Sequence, residues 1–283
     1  MIAILGATGK TGRYLVTRLC DEGHDVTAIG RSAARLEAID PRATTTIADI
    51  DERATLGRAL AGANAVVSCA HARFTEAVLA GLPASCQRLV LTGSTRRFST
   101  LPDPAADAVR AGEAAFLASG VAGVMLHPSM IYGAPDDRNV NRLLRLVRRY
   151  TVIPLPNGGR HLVQPVFVDD VVAALAAAIT RPEAPGPSIV VAGPTPISYA
   201  DMLRACAVAL DRRVTIFPVP TDLLVAGARM AVAVGFKIPF DAAEIRRATE
   251  DKCFDVGPLE NRLGITPRPF DEGLRLKLER GWT

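Results

Sequence analysis

The chain has 283 residues, is 49% hydrophobic and carries a formal net charge of +4. That length and apolar content suit one large α/β domain, or a domain with a small lobe, and exclude a disordered or low-complexity chain. No run has the length and purity of a membrane span; the nearest, Leu223 to Phe236, is short and carries Arg229 near its middle.

Only four of the 33 basic residues are lysine (Lys10, Lys237, Lys252, Lys277), so the excess positive charge is arginine. It reads as a composition bias, and no nucleic-acid partner is expected. The five cysteines (Cys20, Cys69, Cys86, Cys206, Cys253) are scattered without a Cys-x-x-Cys pair. No metal site is expected, and a reducing compartment is. The first apolar stretch starts at residue 2, which leaves no room for a cleaved signal and places the expected location in the cytoplasm.

In chain order, Ile2-Ala3-Ile4-Leu5 predicts a buried strand. It runs straight into Gly6-Ala-Thr-Gly9-Lys-Thr-Gly12, and Leu15, Val16 and Leu19 then recur at helical spacing. A strand, a glycine-rich turn and a helix start make a phosphate site. Gly6 permits the tight turn, Gly9 lets a pyrophosphate approach bare backbone, and Gly12 lets the helix pack close to the sheet. Strands are predicted at Val26–Ile29, Thr44–Ala48, Ala65–Cys69, Leu89–Thr92 and Val121–Leu126. Helices alternate with them at Thr55–Leu60, Phe74–Leu82 and Ala105–Ala118, the last ending at Gly120. Such alternation predicts a parallel sheet covered by helices on both faces.

Beyond residue 133 prolines and glycines crowd 133–165 and 182–196. Later predicted pieces are a helix from Asp169 to Thr180, a strand at Ile189–Val191, a helix from Tyr199 to Leu210 and a strand at Val214–Phe217. Helices are predicted over 221–235, 241–250 and 270–280. The expected architecture is an α/β fold, a Rossmann-type doubly wound parallel sheet with a small C-terminal mixed α/β lobe. Residues 1–133, rejoined by 166–193, form the core, and 134–165 with 194–283 form the lobe that meets a substrate or partner.

In such a fold an acid at the end of the second strand binds the ribose hydroxyl of NAD. Here that strand ends Ala28-Ile29-Gly30-Arg31-Ser32. An arginine fork matches a phosphate, whereas a carboxylate repels one, so NADP(H) is favoured over NAD(H). Asp25 lies at the other end of the strand and does not substitute. The residues expected to line the dinucleotide are Gly6, Thr8, Gly9, Lys10, Thr11 and Gly12 in the turn, Arg31 and Ser32 after the second strand, and Asp49 and Ile50 after the third. Cys69, Ala70 and His71 after the fourth strand, Thr92 on the fifth, and Pro128 and Met130 after the sixth complete them.

These motifs resemble the extended or atypical short-chain dehydrogenases/reductases, in the NAD(P)-dependent epimerase/dehydratase group. The carriers are the glycine turn, Leu89-Val-Leu-Thr-Gly-Ser94, His127-Pro-Ser-Met-Ile-Tyr132-Gly133, and Gln164-Pro-Val-Phe-Val-Asp-Asp-Val171. The stretch Pro156 to Pro165 and the arginine-rich helix before it look most like the branch holding the nucleotide-binding accessory subunit of respiratory complex I. The resemblance implies a serine, a tyrosine and a lysine at the reaction centre, the last two spaced Tyr-x-x-x-Lys. Ser94 matches the serine. None of Tyr14, Tyr132, Tyr150 and Tyr199 stands four residues before a lysine, so the pair is absent. Aligning Glu113 with the family glutamate puts Ala105 and Val109 at the two vacant positions, and the family's Arg-Pro reads His127-Pro128 here.

Two functions are therefore expected in competition. One is a non-catalytic NADP(H)-binding sensor or accessory protein. The other is an NADP-dependent oxidoreductase or epimerase with altered groups, drawn from Ser94, Thr95, Arg96, His127 and Tyr132, with Ser94 and His127 as the catalytic candidates. A third reading is docking to a protein or a membrane surface. It rests on Arg138, Arg142, Arg145 and Arg149, spaced along one helical face, and on Leu223–Phe236; the alternative for that helix is a solvated amphipathic surface.

Overall fold

A computed structural model describes residues 1–181, 186–235 and 240–281. Phe236, the end of the apolar run noted above, and Lys237 lie outside the described residues. In chain order the elements are β1 (Ile2–Leu5), α1 (Gly12–Asp21), β2 (Val26–Gly30), α2 (Ala33–Leu36), β3 (Thr44–Ile47), α3 (Arg53–Ala59), β4 (Ala65–Ser68), α4 (Thr75–Gly81), β5 (Arg88–Thr92), α5 (Pro104–Ser119) and β6 (Gly123–Pro128). They continue with β7 (Ile131–Tyr132), α6 (Asn139–Arg149), β8 (Val152–Pro156), β9 (Leu162–Val163), β10 (Val166–Phe167), α7 (Val168–Thr180), β11 (Ser188–Val191), β12 (Ile197–Ser198) and α8 (Tyr199–Ala209). The last are β13 (Thr215–Val219), α9 (Thr221–Ala233), α10 (Ala242–Arg247), α11 (Gly257–Leu263) and α12 (Phe270–Glu279).

The chain forms two compact units. The first comprises Met1–Ser129, Val168–Val191 and Asp255–Thr266. Its seven strands lie in the order β11-β6-β5-β4-β1-β2-β3, all parallel. The order reverses at β1 and β4, the place where such sheets hold their ligands. Alternate residues feed the two faces. Leu5, Val66, Leu89 and Met125 meet Leu56, Val78 and Phe116 from α3, α4 and α5 on one side, and α1 and α7 pack against each other within the same unit. Asp103 starts α5 by accepting the Ala105 N–H at 3.0 Å, and Gly120 ends it at a φ of +66°.

The sheet unit also takes 255–266, which the sequence division assigns to the lobe. Leu259 and Leu263, one helical turn apart on α11, are fully buried against α7 and β11. The helix is short and flanked by irregular chain, so its amphipathic signal is local and its destination is set by packing.

The second unit is Met130–Phe167, Ala192–Phe254 and Pro267–Thr283 as a stretch of sequence. It holds three two-stranded ribbons: β7 with β10 and β8 with β13, both parallel, and β9 with β12, antiparallel. The core gathers Leu143 and Val147 of α6, Met202, Leu203 and Cys206 of α8, and Phe270 and Leu274 of α12 around Tyr132 and Phe167. Tyr132 is fully buried, its ring 5.4 Å from Phe167 and 4.9 Å from Phe270, and its Oη donates to the Phe270 carbonyl at 3.1 Å. It is a packing residue here, not a group offered to a substrate.

Lys277 is also fully buried. Its Nζ donates to the Ala134 carbonyl at 3.0 Å and lies 3.7 Å from Asp137 Oδ2. Burial pushes its pKa down, while Asp137 holds the charged form. Asp137 Oδ1 meanwhile accepts the N–H groups of Asn139 and Val140 at the start of α6. Replacing Lys277 by Met leaves a buried carboxylate without its cation, and should cost about 3 kcal/mol of stability in denaturant unfolding. Adding Asp137→Asn should restore part of it, because the amide oxygen keeps the two N–H bonds.

Candidate nucleotide-binding site

The site is built from the C-terminal ends of the parallel strands in the first unit. Gly6 follows β1 at a φ of +71°, where a side chain is strained. A Cβ on Gly12 would overlap the Gly6 carbonyl oxygen, and one on Gly9 would lie 3.1 Å from the same oxygen. Bare backbone is therefore a steric requirement of the turn. The N–H groups of Lys10 and Thr11 have no acceptor among the described residues, and they precede the first turn of α1. Free donors and a helix start favour an anion there. Lys10 is exposed and Thr11 half-buried.

The walls come from the neighbouring strands. A Cβ on Gly6 would meet Cys69 and Ala70 at 3.3 Å, so the end of β4 leans directly on the turn. A Cβ on Gly30 would lie 3.1 Å from the Thr8 methyl, which therefore covers the end of β2. Arg31 follows, with its side chain 73% exposed and its Nη1 4.0 Å from Asp49 Oδ2. Ser32 opens α2 without capping it through its hydroxyl. Ile50 is half-buried against the sheet core. Burial pushes the Cys69 thiol up to about 12, so it stays protonated. His71 is held low by burial and by Arg73 and Arg96; its Nδ1 accepts the Arg73 N–H at 3.1 Å. It is neutral and caps a short 3-10 turn. The Thr92 hydroxyl oxygen is buried at the end of β5 and has no hydrogen-bond partner among the described residues. These features fit a dinucleotide.

The far end of the site departs from the sequence reading. His127 is fully buried. Its Nδ1 accepts the backbone N–H of Ser94 at 3.2 Å, which leaves Nε2 to donate to Glu113 Oε1 at 3.2 Å. Glu113 is buried too; it also accepts from Ser188 Oγ at 3.1 Å and pairs with Arg97 Nε at 2.7 Å. Both imidazole nitrogens are therefore engaged, and burial lowers the ring's pKa against the pull of Glu113. As a catalytic candidate, His127 thus has neither ring nitrogen free in this structure. It fixes the loop after β5. Ser94 Oγ accepts the Arg96 N–H at 3.1 Å, and Thr95 Oγ1 donates to the Pro128 carbonyl at 3.4 Å. Arg96 pairs with Asp103 at 3.3 Å. Ala105, at the position the resemblance gives to the tyrosine, is half-buried, and Val109, at that of the lysine, is buried. Met130 belongs to the second unit.

Residues 6–132 match a family model described as NAD(P)H-binding. The match marks that stretch as an NAD(P)H-binding domain, in keeping with the motifs at the ends of its strands. Among curated proteins, the mitochondrial subunit 9 of the NADH dehydrogenase (ubiquinone) 1 alpha subcomplex of Arabidopsis thaliana is 28% identical over 198 residues, covering 62% of this chain and 49% of that protein. The chain thus spans about half the length of that relative. The NADPH-dependent quinone oxidoreductase of Escherichia coli, solved with NADPH, is 20% identical with a TM-score of 0.77, covering 97% of this chain and 98% of that one. The UDP-glucose 4-epimerase of Thermotoga maritima, solved with UDP-glucose, is 14% identical with a TM-score of 0.77, covering 98% and 97%. The structural likenesses show the fold, and the family match marks residues 6–132 as NAD(P)H-binding. No described helix is long and apolar enough to cross a membrane.

Two outcomes test the site. Gly12→Ala should weaken dinucleotide binding at least about tenfold in calorimetric titration, the size expected of overpacking by one methyl against backbone. The second concerns pH. The folded state holds His127 neutral, whereas the unfolded chain takes up a proton below about pH 6.5. Unfolding then binds protons, so this contribution to stability is complete above that pH and is lost as the pH falls. The melting temperature should drop on acidification through that range, and His127→Gln should flatten the drop.

Proposed function

We propose that the protein binds NADP(H) as a ligand, in the manner of a redox sensor or an accessory protein, and does not run the family's Tyr/Lys chemistry. The observation that carries this is the pairing of a complete phosphate cradle with Ala105 and Val109 at the positions of the acid–base pair. A phenol needs a nearby cation to release a proton at neutral pH, and neither is present. The reducing, five-thiol composition suits the cytoplasm.

Arg31 supports the NADP(H) preference. It follows β2, the position that reads the ribose 2′-substituent in such folds, and its side chain is 73% exposed. Asp49, 4.0 Å away, is in place to accept the ribose 3′-hydroxyl or the adenine amino group. The 2′-phosphate adds two negative charges that the arginine fork matches. Lys10 and Arg35, both exposed, are helpers in the same field.

The likeness to an NADPH-dependent quinone oxidoreductase favours a second reading. A bound nicotinamide supplies hydride, and an acceptor held at the right distance is the main further requirement. In that case Glu113 and His127 hold the loop after β5, and Ser94 presents its hydroxyl proton beside the reaction centre. His127 then acts as a positioning residue.

Arg31→Asp should weaken NADPH binding about tenfold to a hundredfold, the worth of a charge-assisted contact, while changing NADH binding little. Loss of both equally would remove the phosphate-reading role. Steady oxidation of NADPH by a quinone, scaling with protein and abolished by Gly12→Ala, would replace the ligand-only reading by the oxidoreductase one.

A further inference from the structure

Of the arginine face read from the sequence, Arg138, Arg145 and Arg149 are exposed and Arg142 is engaged. Arg142 is turned into the second unit, where its Nη1 meets both Glu244 carboxylate oxygens at 3.1 Å and its guanidinium stacks 4.7 Å from the Phe240 ring. A second cluster overlaps it at Arg149. Arg148 and Arg149 end α6, just before β8, and Arg212 and Arg213 come just before β13. The two strands run parallel, with Thr215 opposite Val152 and Phe217 opposite Pro154. Both arginine pairs therefore sit at the same end of the ribbon. Arg212 Nη2 donates to the Arg148 carbonyl at 2.8 Å, and Thr215 N–H to the Thr151 carbonyl at 2.7 Å, which lace the two ends together. All four arginines are exposed, and none forms an ion pair with a described residue. Asp211 is the one acid within this run of chain.

The ribbon's outward face is apolar. Val152 is 57% and Phe217 58% exposed, alternating with the inward Ile153 and Ile216. Tyr150 stands beside them under the Arg149 guanidinium, which donates to its Oη at 3.1 Å. From the other end of β13 the chain passes through Pro220 into α9, where only Val225 is buried. Leu223, Met230 and Val234, spaced about two turns and then one turn apart, are 64%, 69% and 66% exposed. Exposed apolar residues in such number are not a feature of an ordinary solvated face.

We propose that this face docks on an anionic lipid bilayer. The four arginines pair with lipid phosphates, Tyr150 sits at headgroup depth, and Val152 and Phe217 enter the acyl boundary. The charge decides between occupants. A second copy of this chain would bring four more arginines toward these four, whereas an anionic surface neutralises them. An aromatic beside arginines and an apolar ridge is the composition of an interfacial surface.

The test is flotation of the full chain with phosphatidylcholine vesicles, with and without phosphatidylglycerol, at low and high salt. Binding is expected only with phosphatidylglycerol, and should weaken as salt rises. Arg212→Glu with Arg213→Glu should lower partitioning by well over tenfold, at about fivefold per arginine even before charge reversal. Val152→Asp with Phe217→Asp should abolish it, with NADPH binding and melting temperature unchanged in both variants. No flotation on phosphatidylglycerol at low salt overturns the proposal, as does flotation that both variants retain. Dimerisation in light scattering that Val152→Asp with Phe217→Asp abolishes would give the face to a second copy instead.

Discussion

The first turn of α1 lies so close to the end of β1 that Gly12 stands over the carbonyl of Gly6 with no room for a methyl group. Much else follows from that approach. It brings the orphan N–H groups ahead of α1 to the middle of the sheet, at the point where the strand order reverses. It also presses the turn onto Cys69 and Ala70 at the end of β4, so the phosphate cradle and the floor beside it are one packed object. A side chain anywhere in this contact would move the helix, and with it the donors that make the site.

The opposite end of the site is held by a different device. Glu113 brings α5, β6, β11 and the loop after β5 to a single buried carboxylate, through Ser188, His127 and Arg97. A buried charge is tolerable when its oxygens are fully used, and here they accept from three side chains. Such an arrangement specifies geometry more than it adds stability. It holds the Ser94 backbone still and spends the imidazole in doing so. The histidine is thereby available for placement and not for proton transfer at neutral pH.

What could be read from the chain beforehand was whatever depends on local backbone. The glycine turn was legible because only glycine fits its positive φ and its close contact. The alternation of strands and helices through residue 128 was legible because burial on both faces leaves continuous apolar runs. Gly120 marks the end of α5 by its own chemistry. The rest needed the fold. Glu113 and Ser94 are separated from His127 by 14 and 33 residues, so nothing in the spacing joins them. Arg142 shares a helical period with Arg138, Arg145 and Arg149, yet its partner Glu244 is 102 residues away. The place of α11 with the sheet was hidden for the same reason: two leucines on a short helix declare a buried face, but not what buries it.

Both units close with residues from late in the chain. The sheet unit is finished by Leu259 and Leu263, and the second unit by Phe270, Leu274 and Lys277. During synthesis the strands β1 to β6 emerge well before the helix that covers β11, and the aromatic cluster around Tyr132 waits for α12. Neither core can be sealed by a nascent chain that stops short of these segments. Folding of both units therefore waits for the segments 257–263 and 270–279, and the early apolar strands stay exposed until those residues are made.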